Sequence, residues 1–317
     1  MGNWRTLLLT GTTGFIAKEL LPLLKKRGYK VYTLERYVTG RIEKVFLSED
    51  ETWLSDIRDL FALTKCVQTI KPDIVLHLGA LTAVAYSYNH PQEVLETNLI
   101  GSVNLAELCM RNVANFQQFI FASTAEVYGT TNQRLKREDN LDLKPNSPYA
   151  IAKYAVEKYL TYMHEAYNFP TTIFRFFNSY GRKYDNFFII ERIISQMLKE
   201  KICKLGDPEP VRDFLYYPDQ LNAYMNAIEN PKAIGQIFNV SSGIGVSIKE
   251  VTEQIAKLTD FKGEIVWREM PRRPLDIMHL VGDNRKIRRI LKVPTPIPLE
   301  EGLKKTIEWR TKNDKNY

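Results

Sequence analysis

The chain has 317 residues, of which 44% are hydrophobic and 26% charged, with a formal net charge of +7 at pH 7. These values predict a globular protein of one large or two interlocked domains, and the scattered basic residues make nucleic acid the least favoured partner. No apolar run approaches the ~20 residues of a membrane span, and three distant cysteines without a CxxC pair argue against disulfides, so we expect a cytoplasmic protein without a membrane partner.

Short apolar strands alternate with helical patterns over the first 178 residues. Residues 6–10 (TLLLT) predict the first strand, an amphipathic helix follows GTTGFIA, and residues 29–34 predict the second strand. The alternation continues as helices near 59–69, 91–112 and 148–168 and as strands at 73–77, 117–122 and 171–176. Successive βαβ units predict an α/β fold, a Rossmann-type doubly wound parallel sheet.

Beyond residue 178 the alternation loosens, which predicts a smaller, mostly C-terminal lobe. Helices are expected near 185–200, 219–229, 247–259 and 299–312, with a strand near 236–240. Prolines cluster at 271–298 and indicate extended connections. We expect residues 1–178, with a returning segment near 212–240, to form the dinucleotide-binding domain, and residues 179–317 to form most of the substrate-binding lobe.

The first strand enters a glycine-rich turn, Gly11-Thr-Thr-Gly14-Phe-Ile-Ala17. A GxxGxxA pattern is weak by itself, but here it joins the first strand to the first helix, where free backbone N–H groups can receive a pyrophosphate. Glu35 ends the second strand and can accept hydrogen bonds from ribose hydroxyls while repelling a 2′-phosphate. This favours NAD over NADP, although the neighbouring Arg36 and Arg41 could hold a phosphate.

Tyr149 and Lys153 form a Tyr-x-x-x-Lys pattern near the start of a predicted helix. Spacing of four places both side chains on one helix face, where the ammonium favours the phenolate and makes the tyrosine a general base. The stretch ASTAEVYG at 122–129, at the end of the strand predicted at 117–122, supplies Thr124 and Glu126. On an extended segment these two side chains are expected to point to the same side.

Together these motifs resemble the extended short-chain dehydrogenases/reductases that act on nucleotide sugars. The resemblance spans nearly the whole chain and also rests on DIRD (56–59), HLGAL (77–81), TNLIGS, RFFNSYG (175–181), VRDFLY (211–216) and RRPLD (272–276). Two positions depart from the family pattern: Gly79 stands where alanine is usual, and Arg182 stands where proline is common.

The resemblance implies a homodimer and a nucleotide-diphosphate-sugar substrate. Thr124, Glu126, Tyr149 and Lys153 would be catalytic. Cofactor contacts would come from Gly11, Thr13, Gly14, Phe15, Ile16, Glu35, Arg36, Asp56, Ile57, Leu78, Ala80, Asn98, Tyr149 and Lys153. Substrate contacts would come from Ser87, Thr124, Asn178, Arg212 and Arg273.

In this family the tyrosine takes the C4 hydroxyl proton while the C4 hydride passes to the nicotinamide, and the next step separates the enzymes. A carboxylate at Glu126 can remove the C5 proton, which favours a 4,6-dehydratase, although Ala125 replaces the acid of one dehydratase pattern. A 4-epimerase acting on UDP-glucose or UDP-N-acetylglucosamine is the alternative. A UDP-glucuronate decarboxylase and a non-catalytic NAD sensor remain further alternatives.

Overall fold

The structure is a computed structural model, which describes residues 5–36, 51–181, 186–270 and 273–313. Its strands in chain order are β1 (Thr6–Thr10), β2 (Lys30–Glu35), β3 (Thr52–Leu54), β4 (Ile74–His77), β5 (Gln118–Thr124), β6 (Thr171–Phe176), β7 (Asn178–Tyr180), β8 (Ile202–Lys204), β9 (Val211–Tyr216), β10 (Gln236–Val240), β11 (Gly245–Ser247), β12 (Glu264–Val266) and β13 (His279–Leu280).

The helices of the described residues follow the predicted alternation. They are α1 (Phe15–Lys26), α2 (Leu60–Ile70), α3 (Val84–Asn89), α4 (Pro91–Leu95), α5 (Gly101–Asn112), α6 (Pro148–Tyr167), α7 (Ile189–Lys199), α8 (Tyr217–Ala227), α9 (Ile248–Leu258), α10 (Arg285–Leu291) and α11 (Leu299–Asn313). None of them is both long and apolar enough to cross a membrane.

A seven-stranded sheet in the order β10-β6-β5-β4-β1-β2-β3 confirms the predicted Rossmann-type fold. The pairs β1–β2, β1–β4, β2–β3 and β4–β5 are parallel, as βαβ units require. Because β2 and β4 flank β1, the chain order reverses beside β1. The carboxyl ends of β1 and β4 therefore border the crevice in which open α/β sheets bind ligands.

Two local features differ from the expected pattern. The predicted helix at 91–112 is interrupted by a π-helical turn, Glu96–Ile100, between α4 and α5. The proline-rich stretch 271–298, expected to be extended, includes α10, whose Ile287 and Leu291 are buried. The buried apolar pair gives this short basic segment a reason to be helical between the prolines.

The chain divides into two compact units. The sheet unit comprises Met1–Val127, Ser147–Arg175 and Tyr224–Ile237, and the second unit comprises Tyr128–Asn146, Phe176–Ala223 and Phe238–Tyr317. Each unit has its own apolar core: one packs strands β4 and β5 against α2, α5 and α6, and the other packs α7, α9 and α11 around β9.

Candidate active site

The glycine turn lies at the carboxyl end of β1 and opens α1. Gly11 has φ of +76°, and a Cβ atom there would lie 2.7 Å from the backbone of Gly79. Gly14 is the N-cap residue, and its N–H donates to the Gly11 carbonyl at 2.9 Å. Gly14 has no side chain that could cap the helix, and the first N–H groups of α1 point toward the turn. This arrangement suits a pyrophosphate.

A buried hydrogen-bond chain fixes the neighbouring end of β4. The Thr10 hydroxyl accepts from the Gly79 N–H at 2.9 Å and lies 2.7 Å from Nδ1 of His77, whose Nε2 lies 2.8 Å from the Ser102 hydroxyl. Burial, and secondarily the charge of Lys153, lowers the pKa of His77 to about 3. The imidazole is therefore neutral and has a structural role, linking the ends of β1 and β4 to α5.

Glu35 lies at the carboxyl end of β2 and is only 6% exposed. Its Oε1 accepts from the Thr12 hydroxyl at 2.5 Å, which ties the strand end to the glycine turn. Next to it, Arg36 Nη1 lies 3.6 Å from Glu93 Oε1. A carboxylate at this strand end is typical of sites that accept an unphosphorylated ribose. Arg41, also considered for phosphate binding, lies outside the described residues.

The segment after β3 presents Asp56 and Ile57, both partly exposed. Arg58 donates to both carboxylate oxygens of Asp56, and this pair holds the pKa of Asp56 below its usual range. Ile57 packs close to Gly101, where an added Cβ would lie 2.7 Å from its Cγ2. Both residues are thus held after β3, at the edge of the sheet, and the cofactor contacts that the resemblance implies for them stay a prediction.

Asn98 has a positioning role that the sequence did not reveal. It is fully buried in the π-helical turn, where its amide donates to the Leu81 carbonyl at 2.9 Å and its oxygen accepts from the Leu81 N–H at 2.8 Å. Leu78 and Ala80, in the same loop as Leu81, are partly exposed. Asn98 thereby holds the loop after β4, and its predicted direct contact with the cofactor stays a prediction.

Thr124 is the last residue of β5 and is 7% exposed. The chain does not continue as a strand, because Ala125–Tyr128 forms a 3-10 turn. The expectation that Thr124 and Glu126 share one side of an extended segment is therefore wrong. Instead, the Glu126 N–H donates to the Thr124 hydroxyl oxygen at 3.2 Å, a local bond that favours the turn. Glu126 still lies beside Thr124 and is partly buried.

Tyr149 and Lys153 lie in the first two turns of α6. Ser147 caps this helix by accepting from the Ala150 N–H at 3.1 Å, and Pro148 occupies the first helical position. Tyr149 is 8% exposed and Lys153 is 2% exposed. Lys153 Nζ donates to the Ala122 carbonyl at 2.8 Å, which brings α6 against the strand that ends in Thr124.

The ammonium of Lys153 lies in an apolar environment. Its Nζ is 4.6 Å from the centre of the Phe121 ring. Burial lowers the pKa of Lys153 to about 7, and the carboxylate of Glu157 opposes that decrease. Lys153 is therefore poised to change charge near neutral pH, as a residue that tunes a general base can be.

Ser87, predicted to contact substrate, is fully buried in the sheet unit. Its hydroxyl donates to the Val84 carbonyl at 2.7 Å, within its own helix α3. This bond orients the hydroxyl toward the backbone, so a substrate contact would require it to rotate. The contact stays a prediction.

The other three predicted substrate residues belong to the second unit. Asn178 begins β7, next to β9, which carries Arg212. Arg212 is 8% exposed, and its Nη2 donates to Asp276 at 3.1 Å. Arg273 is exposed, and its charge adds to burial in lowering the pKa of Arg192. The sequence did not single out Arg192. Arg182, the other departure from the family pattern, lies outside the described residues.

Comparison with known proteins gives matches along most of the chain. A family model described as GDP-mannose 4,6 dehydratase matches residues 8–306. The human dTDP-D-glucose 4,6-dehydratase is 29% identical over 329 residues, which cover 100% of this chain and 93% of the relative. A UDP-N-acetyl-alpha-D-glucosaminuronate decarboxylase from Bacillus cytotoxicus is 29% identical over 324 residues, covering 95% and 96%.

Solved structures also resemble the chain along nearly its whole length. UDP-glucose 4-epimerase from Thermotoga maritima, determined with UDP-glucose, aligns with a TM-score of 0.88 at 29% identity, covering 98% of this chain and 99% of that chain. UDP-glucose 4-epimerase from Thermus thermophilus, in complex with NAD, aligns with a TM-score of 0.86 at 26% identity, covering 97% and 99%. These similar proteins therefore include dehydratases, epimerases and a decarboxylase.

Proposed function

The chain belongs to the extended short-chain dehydrogenase/reductase family of nucleotide-sugar enzymes, and within that family we propose that it is a nucleotide-sugar 4,6-dehydratase. Its cofactor is NAD, which is bound in the related Thermus thermophilus epimerase. The glycine turn at the start of α1 suits the pyrophosphate, and the buried Glu35 suits an unphosphorylated ribose. NAD, when bound, supplies the acceptor and later the donor of a hydride.

The first step is oxidation at C4 of the sugar, and three residues around the end of β5 have separate roles in it. Tyr149 takes the proton from the C4 hydroxyl of the sugar, and Thr124 holds the same oxygen through its hydroxyl. Lys153, held against the Ala122 carbonyl, supplies positive charge that favours the tyrosine phenolate. The C4 hydride leaves as this proton is removed, and the resulting ketone makes the C5 hydrogen acidic.

Glu126 is the residue that carries the choice of a dehydratase. Its backbone N–H donates to the Thr124 hydroxyl in the 3-10 turn, so the residue is held beside the hydroxyl that contacts the substrate oxygen in this proposal. A carboxylate at this position can remove the C5 proton, with the same group or a water protonating the C6 hydroxyl as it leaves. The buried Ala125 offers no acid, so Glu126 or a water must supply the proton for the departing C6 hydroxyl.

A 4-epimerase is the second candidate, because the two solved structures described above are epimerases of the same fold. An epimerase needs no base for C5, since the ketone turns over and takes the hydride back on its other face. The decarboxylase and the NAD sensor rank lower: the former requires a carboxylate on the substrate, and the latter does not need Thr124, Tyr149 and Lys153 together.

A panel of nucleotide sugars separates these reactions. Purified protein is incubated with GDP-mannose, dTDP-glucose, UDP-glucose, UDP-N-acetylglucosamine and UDP-glucuronate without added reductant, and products are identified by mass and by NMR. A product lighter by one water supports the dehydratase. A product of unchanged mass with inverted C4 replaces it with the epimerase, and loss of carbon dioxide indicates the decarboxylase. Binding of NAD without turnover favours the sensor.

The variant Glu126→Gln tests the assigned base. We expect C4 oxidation to persist while elimination slows by about 10²-fold or more, so that reduced cofactor accumulates in a single turnover. Glu165→Gln removes an exposed carboxylate near the other end of α6 and serves as the matched control. Unchanged formation of the dehydrated product would remove Glu126 from the mechanism.

We also propose that the active protein is a homodimer in the cytoplasm. Helix α6 exposes Ile151, Tyr162 and Tyr167, and the π-helical turn between α4 and α5 exposes Ile100. Large apolar side chains grouped on neighbouring helices are typical of contacts between subunits. A second copy of the same chain can cover such a surface symmetrically.

A further inference from the structure

A buried ion pair lies in the sheet unit beneath the reactive centre. Arg175, on β6, donates from Nη2 to Glu157 Oε2 at 2.7 Å and from Nε to both carboxylate oxygens at 3.1 Å. The two side chains are only 3% and 2% exposed. The Ser123 hydroxyl also donates to Glu157 Oε1, so three buried side chains on β5, β6 and α6 are joined.

Stability alone gives a weak reason for this pair. Removing two charges from water costs several kcal/mol per ion, and apolar replacements of buried ion pairs are often neutral or stabilising. The position of the pair is more informative. Ser123 precedes Thr124 on β5, and Glu157 follows Lys153 by one turn on the same face of α6. One carboxylate thus contacts the strand that carries Thr124 from the helix that carries Lys153.

The surroundings of Lys153 contain few charges. Its own helix contributes Tyr149 and Glu157. Strand β5 contributes the Phe121 ring and the Ala122 carbonyl, and β4 contributes the neutral His77. Arg175 approaches from β6 but is bound to Glu157. Burial favours the neutral amine, and Glu157 is the carboxylate whose charge opposes this.

We propose that Glu157 is a positioning residue of the reactive centre, which holds the end of β5 through Ser123 and supports the positive charge of Lys153. Arg175 holds the carboxylate in place through three hydrogen bonds. The proposal rests on the proposed function for the role of Lys153, but its central claim concerns the charge of this side chain in the protein without substrate.

The test observes Lys153 directly. Protein labelled with ¹³C at the lysine Cε is titrated by NMR, and the Lys153 signal is assigned by its loss in Lys153→Met. In the unsubstituted protein we expect a midpoint near the lowered pKa of about 7. In Glu157→Gln we expect the midpoint to fall by about one pH unit, because the supporting charge is gone. Glu165→Gln, on an exposed position of the same helix, should leave it unchanged.

Because Glu157→Gln leaves Arg175 buried without its partner, the double variant Glu157→Gln/Arg175→Met is measured as well. Circular dichroism verifies that each variant is folded. A Lys153 midpoint equal to that of Glu165→Gln in the folded single or double variant would overturn the proposal. If the midpoint falls although no nucleotide sugar is turned over, the positioning role stands and only the proposed reaction fails.

Discussion

At the scale of single residues, Lys153 links the reactive centre to the stability of the fold. The unfolded chain keeps the Lys153 proton up to about pH 10.5, whereas burial lowers the pKa in the folded protein to about 7. Between these values the unfolded state binds more protons than the folded state. The contribution of Lys153 therefore makes the free energy of unfolding increase with pH in this window, by at most about 1.4 kcal/mol per pH unit.

The variant Lys153→Met should remove this contribution. We expect the unfolding free energy of the variant to exceed that of the unsubstituted protein near pH 6, with the difference shrinking as the pH rises toward 10. Urea denaturation of both proteins at a series of pH values measures it, and other titrating groups cancel in the difference. Parallel pH curves for the two proteins would contradict a lowered pKa for Lys153.

Gly11 supplies a second prediction at this scale. Its positive φ and the 2.7 Å separation between an added Cβ and the Gly79 backbone leave no room for a side chain. We expect Gly11→Ala to lose about 2 kcal/mol or more of unfolding free energy and most of its NAD affinity. Gly206→Ala is the control, because an added Cβ there would meet its nearest neighbour only at 3.9 Å.

The sequence was informative about which residues matter and less so about their geometry. Gly11, Glu35, Tyr149 and Lys153 could be named because each has a fixed position relative to a strand end or helix start. The turn after Thr124 could not be anticipated, because a threonine that accepts a bond from the N–H two residues later competes with strand geometry. Glu157 was missed because a carboxylate on a helix usually faces solvent.

At the scale of elements, the end of β2 and the start of α4 form a charged surface beside the predicted ribose site. Glu93 of α4 lies 3.6 Å from Arg36 and accepts from the Tyr86 hydroxyl at 2.5 Å. The Tyr86 bond, with smaller contributions from neighbouring cations, lowers the pKa of Glu93, so it remains a carboxylate. It therefore balances an arginine that could otherwise receive a 2′-phosphate.

Glu93→Gln should shift cofactor preference toward NADP. Because exposed ion pairs contribute less than about 1 kcal/mol, we expect the ratio of NADP to NAD affinity to rise about two- to fivefold. Calorimetric titration of the cofactor-free protein measures both dissociation constants. Glu96→Gln removes the neighbouring carboxylate, which lies 3.7 Å from Arg58, and provides the control. An equal change in both variants would indicate a general charge effect instead.

The alternation of strands and helices was predictable because each buried strand is a short apolar run and each helix has an apolar face. The π-helical turn at Glu96–Ile100 was not, since it accompanies the bonds between Asn98 and the Leu81 backbone across 17 residues. Short strands such as β3 and β13 were also missed. Their two or three residues carry no period of their own, and they form by pairing with β2 and β9.

At the scale of the whole molecule, each of the two units is built from three separate segments of the chain. Residues 128–146 belong to the second unit, although the α6 residues that follow return to the sheet unit. This segment has no periodic apolar pattern, so the sequence offers no means of assigning it. Asn239, whose amide donates to the Lys136 carbonyl at 2.8 Å within the second unit, is one of the distant partners that hold it.

The proposed homodimer gives the last prediction. Ile151 and Tyr162 of α6 are each 48% exposed, whereas Tyr149 and Lys153 of the same helix are buried. Charges at Ile151 and Tyr162 should therefore disrupt a subunit contact without entering the reactive centre. We expect the protein to have the mass of two chains in light scattering, and Ile151→Glu/Tyr162→Glu to have the mass of one, because two copies of each carboxylate would be desolvated in a symmetric contact. Leu141→Glu, at a residue of the second unit that is 92% exposed, is the control and should keep the mass of two chains.

Two outcomes would show that this surface is not the contact. One is a single-chain mass for the unsubstituted protein, and the other is a two-chain mass for the folded Ile151→Glu/Tyr162→Glu variant.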